Sequence, residues 1–217
     1  MNTPLRGLRL CLLGLAAAAS LSAALEADTV RNHFDSDTAM RAPGFFDLMV
    51  LGAPGPARWI VLTDSNPPSA PNRLSQVDAK RPADSIAAAV RRTYVFRDGS
   101  VSTYLKRGGS RAGLLLRMTG EKDFLVLLVD PASGDAVLTS YRDGKPAELG
   151  RGHAALAREW EKFGVAAKGP SLTVLFNDAA IFEAKDSKPA TGKAGLAVAG
   201  PGDASFDEFV IETADTP

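Results

Sequence analysis

Ser171-Leu172-Thr173-Val174-Leu175-Phe176-Asn177-Asp178-Ala179-Ala180-Ile181-Phe182-Glu183-Ala184 reads as two strands around an Asn-Asp turn. Leu172, Val174 and Phe176 alternate with Thr173, Leu175 and Asn177, and Ile181-Phe182-Glu183 pairs back. Successive side chains of a strand point to opposite faces, so this period of two predicts one buried and one outward face. A short Gly195-Leu196 strand follows, and Phe206-Asp207-Glu208-Phe209-Val210-Ile211 alternates aromatic with acid. A hairpin, a Gly-punctuated strand and a closing strand, with Trp160 at the core edge, predict a two-sheet antiparallel sandwich.

The upstream chain agrees. Tyr94-Val95-Phe96-Arg97 runs into Asp98-Gly99, a strong hairpin turn signal, and Val101, Thr103 and Leu105 return. Gly113 to Met118 and Phe124 to Val129 are almost continuously apolar and are joined by Gly120-Glu121-Lys122-Asp123. Such runs predict central strands, covered on one side by the partner sheet and on the other by loops. Asn32-His33-Phe34-Asp35 is expected to begin the first strand, and Trp59-Ile60-Val61-Leu62 a later one. Asn66 to Asn72 carries three prolines and reads as loop. Leu74 to Ala79 reads as a short edge strand, and Ile86 to Val90 as a small-residue strand or one helical turn. Ala154 to Phe163 is the best helical candidate, although its last residues pattern as a strand entry. Ten to thirteen strands are expected, with no long amphipathic helix of the kind a parallel sheet needs.

The N-terminus reads as an export signal. Arg6 and Arg9 precede an apolar run, Leu10 to Ala19, and Ser22-Ala23-Ala24 offers the small residues a signal peptidase reads. Residues 1–24 are expected to be removed, leaving one domain over 28–214 in the periplasm or outside the cell. The apolar run is too short for a comfortable span, which needs roughly 20 residues. No membrane span is expected after cleavage. Cys11, the single cysteine, lies in this segment. Arg9 stands where a lipobox wants a small residue, which disfavours lipid attachment. The exported chain therefore has no disulfide and depends on its core. At this size it buries on the order of 70% of the surface its unfolded form exposes.

Basic and acidic residues number 25 each, and losing Arg6 and Arg9 leaves a small acidic excess. No basic block stands apart, which argues against nucleic acid.

Arg111 to Arg117, Glu121 to Val126, Glu159 to Val165, Leu172 to Phe182, Gly192 to Leu196 and Phe206 to Phe209 also form an ordered marker set. In that order they resemble the concanavalin A-like lectin/glucanase superfamily, its laminin G-like and 3-keto-disaccharide hydrolase-like branches above all. The resemblance runs from near His33 to about Glu212 and implies an all-β, antiparallel two-sheet jelly-roll sandwich. It also implies a carbohydrate or other extracellular ligand, bound on a concave sheet. Two further readings stay open, a 3-keto-disaccharide hydrolase and a protein-interaction domain. Phe124, Leu125 and Leu128 stand where members often carry tyrosines and an arginine.

Retaining glucanases on this fold align two glutamates and an aspartate on one strand face, with acid and nucleophile about 5.5 Å apart. This sequence has no such triple. Glu159 and Glu161 would share a face, but Trp160 lies between them with no acid, so a solvated face is expected. His33 and His153 have no His or Cys at ligand spacing, so zinc is not expected. Trp59 and Trp160 sit among apolar residues and read as core or rim anchors. A ligand set of Tyr104, Arg117, Asp123 and Tyr141 is the remaining candidate, since a charge ending an apolar strand needs a partner or a groove. Some members hold a structural calcium where the chain ends meet, which would make Asp35 and Asp207, with Asp37 nearby, its carboxylates. No other cofactor is implied.

Overall fold

The computed structural model describes residues 28–214, so the expected signal, its cleavage point and Cys11 lie outside the described residues. Alternation decides the architecture. Val101, Thr103 and Leu105 point inward while Ser100, Ser102 and Tyr104 point out, and the same period recurs along the chain. Fifteen strands result among the described residues: β1 (Asp28–Asn32), β2 (Phe46–Gly52), β3 (Trp59–Thr63), β4 (Asn72–Gln76) and β5 (Ser85–Phe96). There follow β6 (Gly99–Lys106), β7 (Ala112–Gly120), β8 (Asp123–Val129), β9 (Asp135–Arg142) and β10 (Lys145–His153). The last five are β11 (Trp160–Lys168), β12 (Ser171–Phe176), β13 (Ala179–Lys185), β14 (Gly192–Ala199) and β15 (Ala204–Thr213).

They form two antiparallel sheets. The eight-stranded sheet runs β13-β12-β11-β6-β15-β4-β3, with β1 also paired to β15, and the seven-stranded sheet runs β10-β9-β8-β7-β14-β5-β2. The fold is the all-β jelly-roll sandwich the sequence predicts, and its last strand returns beside its first. No described helix is long and apolar enough to cross a membrane.

The core lies between the sheets. Leu114, Leu116, Leu125 and Leu127 from one sheet meet Val101, Phe163, Val165 and Phe206 from the other, all almost wholly buried. Each such side chain contributes about 1.5–3 kcal/mol. Phe34 packs against Phe46 at 6.0 Å and Phe46 against Phe209 at 5.9 Å, which ties the chain's beginning to its end. Gly195 marks a bulge where β14 meets β5, and a Cβ there would lie 2.8 Å from Val90 Cα. Gly195→Ala is therefore expected to lower the urea midpoint, by about 1–3 kcal/mol of stability.

Several expectations are corrected. Ala154 to Phe163 is not helical: residues 154–157 carry no regular structure, and β11 begins at Trp160. The first strand ends at Asn32, and Phe34 sits in a turn with φ of 65°. Ile86 to Val90 belongs to a strand, β5, that continues without a break to Phe96.

Candidate functional site

Outward positions of the eight-stranded sheet build a polar depression of about 450 Å³. β6 supplies Ser100, Ser102 and Tyr104, β11 supplies Lys162 and Gly164, and β15 supplies Glu208 and Glu212. Register aligns them: Arg31, Val210, Ser102, Gly164 and Leu175 form one cross-strand row, and Lys162 faces Tyr104 in another. Gly164 keeps the floor low, since a Cβ there would come within 3.4 Å of Ser102 Cβ and the Val101 carbonyl oxygen.

Polar groups around this floor are held by one another. His33 Nδ1 lies 2.6 Å from Glu208 Oε1, and Arg31 donates to Glu208 Oε2 at 3.4 Å. The Ser100 hydroxyl donates to Glu212 Oε2 at 2.8 Å, and Lys162 Nζ to Asp178 Oδ1 at 2.7 Å. Glu208 reaches this face because β15 bulges between Asp207 and Val210, with Glu208 at φ of 51°. Asp207, beside Glu208 in the bulge, is wholly buried, its carboxyl covered by the Ser69 loop. Donors, acceptors, hydroxyls and one phenol ring therefore surround a single open floor. Glu208 and Glu212 both line it.

Behind the bulge, Asp207 meets Asp35 on one residue. Ser69 donates its N–H to Asp207 Oδ2 at 2.7 Å and its hydroxyl to Asp35 Oδ2. Asp207 Oδ1 accepts the Glu208 N–H at 2.7 Å, and Asp35 Oδ1 the Asn72 N–H at 3.1 Å. Burial pushes the Asp207 carboxyl up to about 7, against the pull of its two N–H donors and helped by the charges of Glu208 and Asp35. The Phe34, Asp35 and Asp37 carbonyls converge on Asn72 Nδ2 at 3.2–3.3 Å. Every oxygen of both carboxyls thus already has a protein donor, and an amide occupies the point where the carbonyls meet. Among the described residues no group of three or more His, Cys, Asp or Glu is placed for a metal. These donors suit a hydrogen-bonded acid pair rather than a cation cage, and no function is derived through calcium.

The expected ligand set does not assemble. Tyr104 lines the depression, but Asp123 and Tyr141 belong to the other sheet. Tyr141 stacks on Phe124 at 4.5 Å and 13°, and burial raises its phenol. Asp123 accepts the Asp143 N–H at 3.2 Å in the neighbouring turn. Arg117 is 0% exposed. With φ of 48° it lies where the β7–β8 register shifts, and its guanidinium meets the Arg97 and Gly169 carbonyls, each at 2.8 Å, and Asp186 at 3.1 Å. It is a partner-bound charge, not an open one.

Glu159 and Glu161 do not share a face. Glu159 is exposed and pairs with Lys106 at 3.0 Å. Glu161 is buried, accepts the Ala157 and Arg158 N–H groups at 2.7 and 2.6 Å, and accepts from Asn177 Nδ2 at 2.8 Å. Burial raises its carboxyl, and the bonds from Asn177, Arg158 and Ala157 outweigh that and lower it overall. Arg31, Ser102, Lys162 and Glu208 were not anticipated as site residues. The alternation Ser100-Ser102-Tyr104 opposite Val101-Thr103-Leu105 was the available signal.

No family model matches the chain, and no curated protein matches it in sequence. Solved structures do match. The carbohydrate-binding module CBM66 from Bacillus subtilis aligns with TM-score 0.52 and 14% identity, over 70% of this chain and 94% of that one. A β-glucanase from Bacillus licheniformis aligns with TM-score 0.55 and 9% identity, over 85% and 97%. Domain 4 of AbnA, an extracellular arabinanase from Geobacillus stearothermophilus solved with arabinotriose, aligns with TM-score 0.52 and 14% identity, over 88% and 96%. At these identities the likeness shows the fold alone, an antiparallel two-sheet jelly roll.

Proposed function

We propose that the protein is an exported, non-catalytic module that binds carbohydrate in the depression on the eight-stranded sheet. The single observation that carries this reading is the company of Tyr104: a ring lying among Ser100, Ser102, Arg31, Lys162 and Glu208 on one open floor. A sugar presents hydroxyls that both donate and accept, beside an apolar ring face that stacks on an aromatic. This floor offers all three. Its two cations each meet a carboxylate and Glu212 meets the Ser100 hydroxyl, so it suits a neutral polyol better than a strongly charged ligand. The sequence has no pair of glutamates flanking an aspartate on one strand, which favours binding over hydrolysis. Three fold neighbours are a carbohydrate-binding module, a glucanase and an arabinanase domain solved with arabinotriose, which makes oligosaccharides the first ligands to try.

A glycan array followed by calorimetry tests the reading. An oligosaccharide should bind, and Tyr104→Ala should weaken it at least about tenfold, in line with the loss of a stacked ring and its hydroxyl. Failure of every poly- and oligosaccharide to bind, or equal binding by the Tyr104 variant, overturns it.

A further inference from the structure

Among the described residues, two hairpins turn on a pair of residues at positive φ, and they differ at the second residue. Asp143 and Gly144 join β9 to β10, with φ of 51° and 75°. Asn177 and Asp178 join β12 to β13, with φ of 47° and 66°. Positive φ at both central positions suits the twist of the flanking strands, and glycine is the usual second residue because it has no Cβ to clash. The first turn has that glycine. The second has Asp178 in its place, on the rim of the depression.

The second turn is fastened from inside the sandwich. Asn177 donates its N–H to the Lys162 carbonyl at 2.8 Å and accepts the Lys162 N–H on Oδ1 at 3.1 Å. Its Nδ2 donates to Glu161 Oε2 at 2.8 Å. Glu161 is 2% exposed, and a buried carboxylate is costly to keep. This fastening sets where Asp178 stands. The Asp178 side chain is 71% exposed, its Oδ1 accepts from Lys162 Nζ at 2.7 Å, and no described residue donates to its Oδ2.

Resting on the carbohydrate reading above, we propose that Asp178 is a specificity-determining residue of the depression, its Oδ2 accepting from a hydroxyl of the bound sugar. Glu161 is the positioning residue that holds it there through Asn177. Glycine would relax the turn and remove the carboxylate, so the aspartate is kept for what it binds. Backbone strain of this kind persists where the surroundings enforce it, and it gathers at binding sites. A hydrogen bond to an ionised acceptor is among the stronger ones. A site built to accept from a hydroxyl also rejects the analogue that lacks it, because the carboxylate loses water and gains no donor. The sugar therefore carries a free hydroxyl facing this rim, and its deoxy and O-methyl analogues bind poorly.

The probe is the tightest oligosaccharide of the glycan array, measured by calorimetry, with urea unfolding of the same proteins. Asp178→Gly should weaken the probe at least about tenfold, the loss of a hydrogen bond to a charged group. The same variant should raise the unfolding midpoint, because the turn relaxes and the exposed Lys162 pair contributes little. A purely structural role does not produce those opposite signs. Glu161→Gln should weaken the probe in the wild-type background and change it little in the Asp178→Gly background, since both act through one contact. Equal binding by wild type and Asp178→Gly, or a lowered midpoint, overturns the inference and leaves the carbohydrate reading standing. Equal losses from Glu161→Gln in both backgrounds overturn the part given to Glu161. A wild-type protein that binds no saccharide fails the carbohydrate reading itself, and this inference with it.

Discussion

Arg117→Met is expected to lose about 3–5 kcal/mol of stability, the cost of breaking a buried ion pair from one side. Arg117 joins four pieces of chain at one end of the sandwich. Its Nε and NH2 donate to the Arg97 carbonyl, NH2 also to the Gly169 carbonyl, and NH1 to Asp186. Asp186 is itself buried and accepts from Arg142 at 3.0 Å on its other oxygen. Removing the guanidinium leaves two carbonyls without a donor and one buried carboxylate half-neutralised. Methionine fills much of the volume, so the loss reads out the polar network rather than a cavity. Arg117→Lys should recover only part, because an ammonium is a point donor that cannot match a planar fork aimed at several acceptors. Asp186→Asn should cost a comparable amount, and the double variant should cost less than the sum by more than about 0.5 kcal/mol. Urea unfolding at constant pH measures all four. A methionine variant within about 0.5 kcal/mol of wild type sinks the account.

Arg117 also marks the limit of what the sequence discloses. Leu114 and Leu116 point inward, so plain alternation sends residue 117 outward, and an outward arginine looks like a ligand group. The register shift after Leu116, with positive φ on a non-glycine residue, reverses the direction. No glycine or asparagine announces it. The same device at Glu208 hides a site residue that alternation assigns elsewhere.

At the β12–β13 hairpin and the closing strand, sequence and structure agree. The β12–β13 hairpin turns at Asn177 and Asp178, both at positive φ, and the closing strand pairs with the first. β10 was invisible for the opposite reason. It is an edge strand whose residues are mostly exposed, so no buried face imposes a period on them. The site followed suit. Tyr104 was legible because it stands on a regular strand, whereas Arg31, Lys162 and Glu208 come together only through cross-strand register. A single chain does not display that register.

Raising the pH from about 4 to about 7 is expected to destabilise the protein through Asp207, by at most about 4 kcal/mol for a shift of about three units. The unfolded carboxyl titrates near 3.9 and the folded one at about 7. Between those values the folded state holds a proton that the unfolded state has released, so stability falls as pH rises. Below about 4 both states are protonated and the penalty vanishes. Above about 7 it is constant. The physical cause is burial, reinforced by Glu208 and Asp35, and the N–H groups of Ser69 and Glu208 offset only part of it.

The consequence reaches the depression. Asp207 fastens the bulge that aims Glu208 outward and the loop whose Pro68 lines the floor, so its ionisation strains both supports at once. Asp207→Asn keeps an acceptor for one N–H and cannot titrate. The variant should be less stable at pH 4.5, since its amide nitrogen faces a second N–H, but its stability should lose this downward slope between pH 4.5 and 7.5. Urea midpoints at a series of pH values give both slopes. Identical slopes for wild type and variant would show that Asp207 is already ionised throughout, with burial too weak to hold its proton.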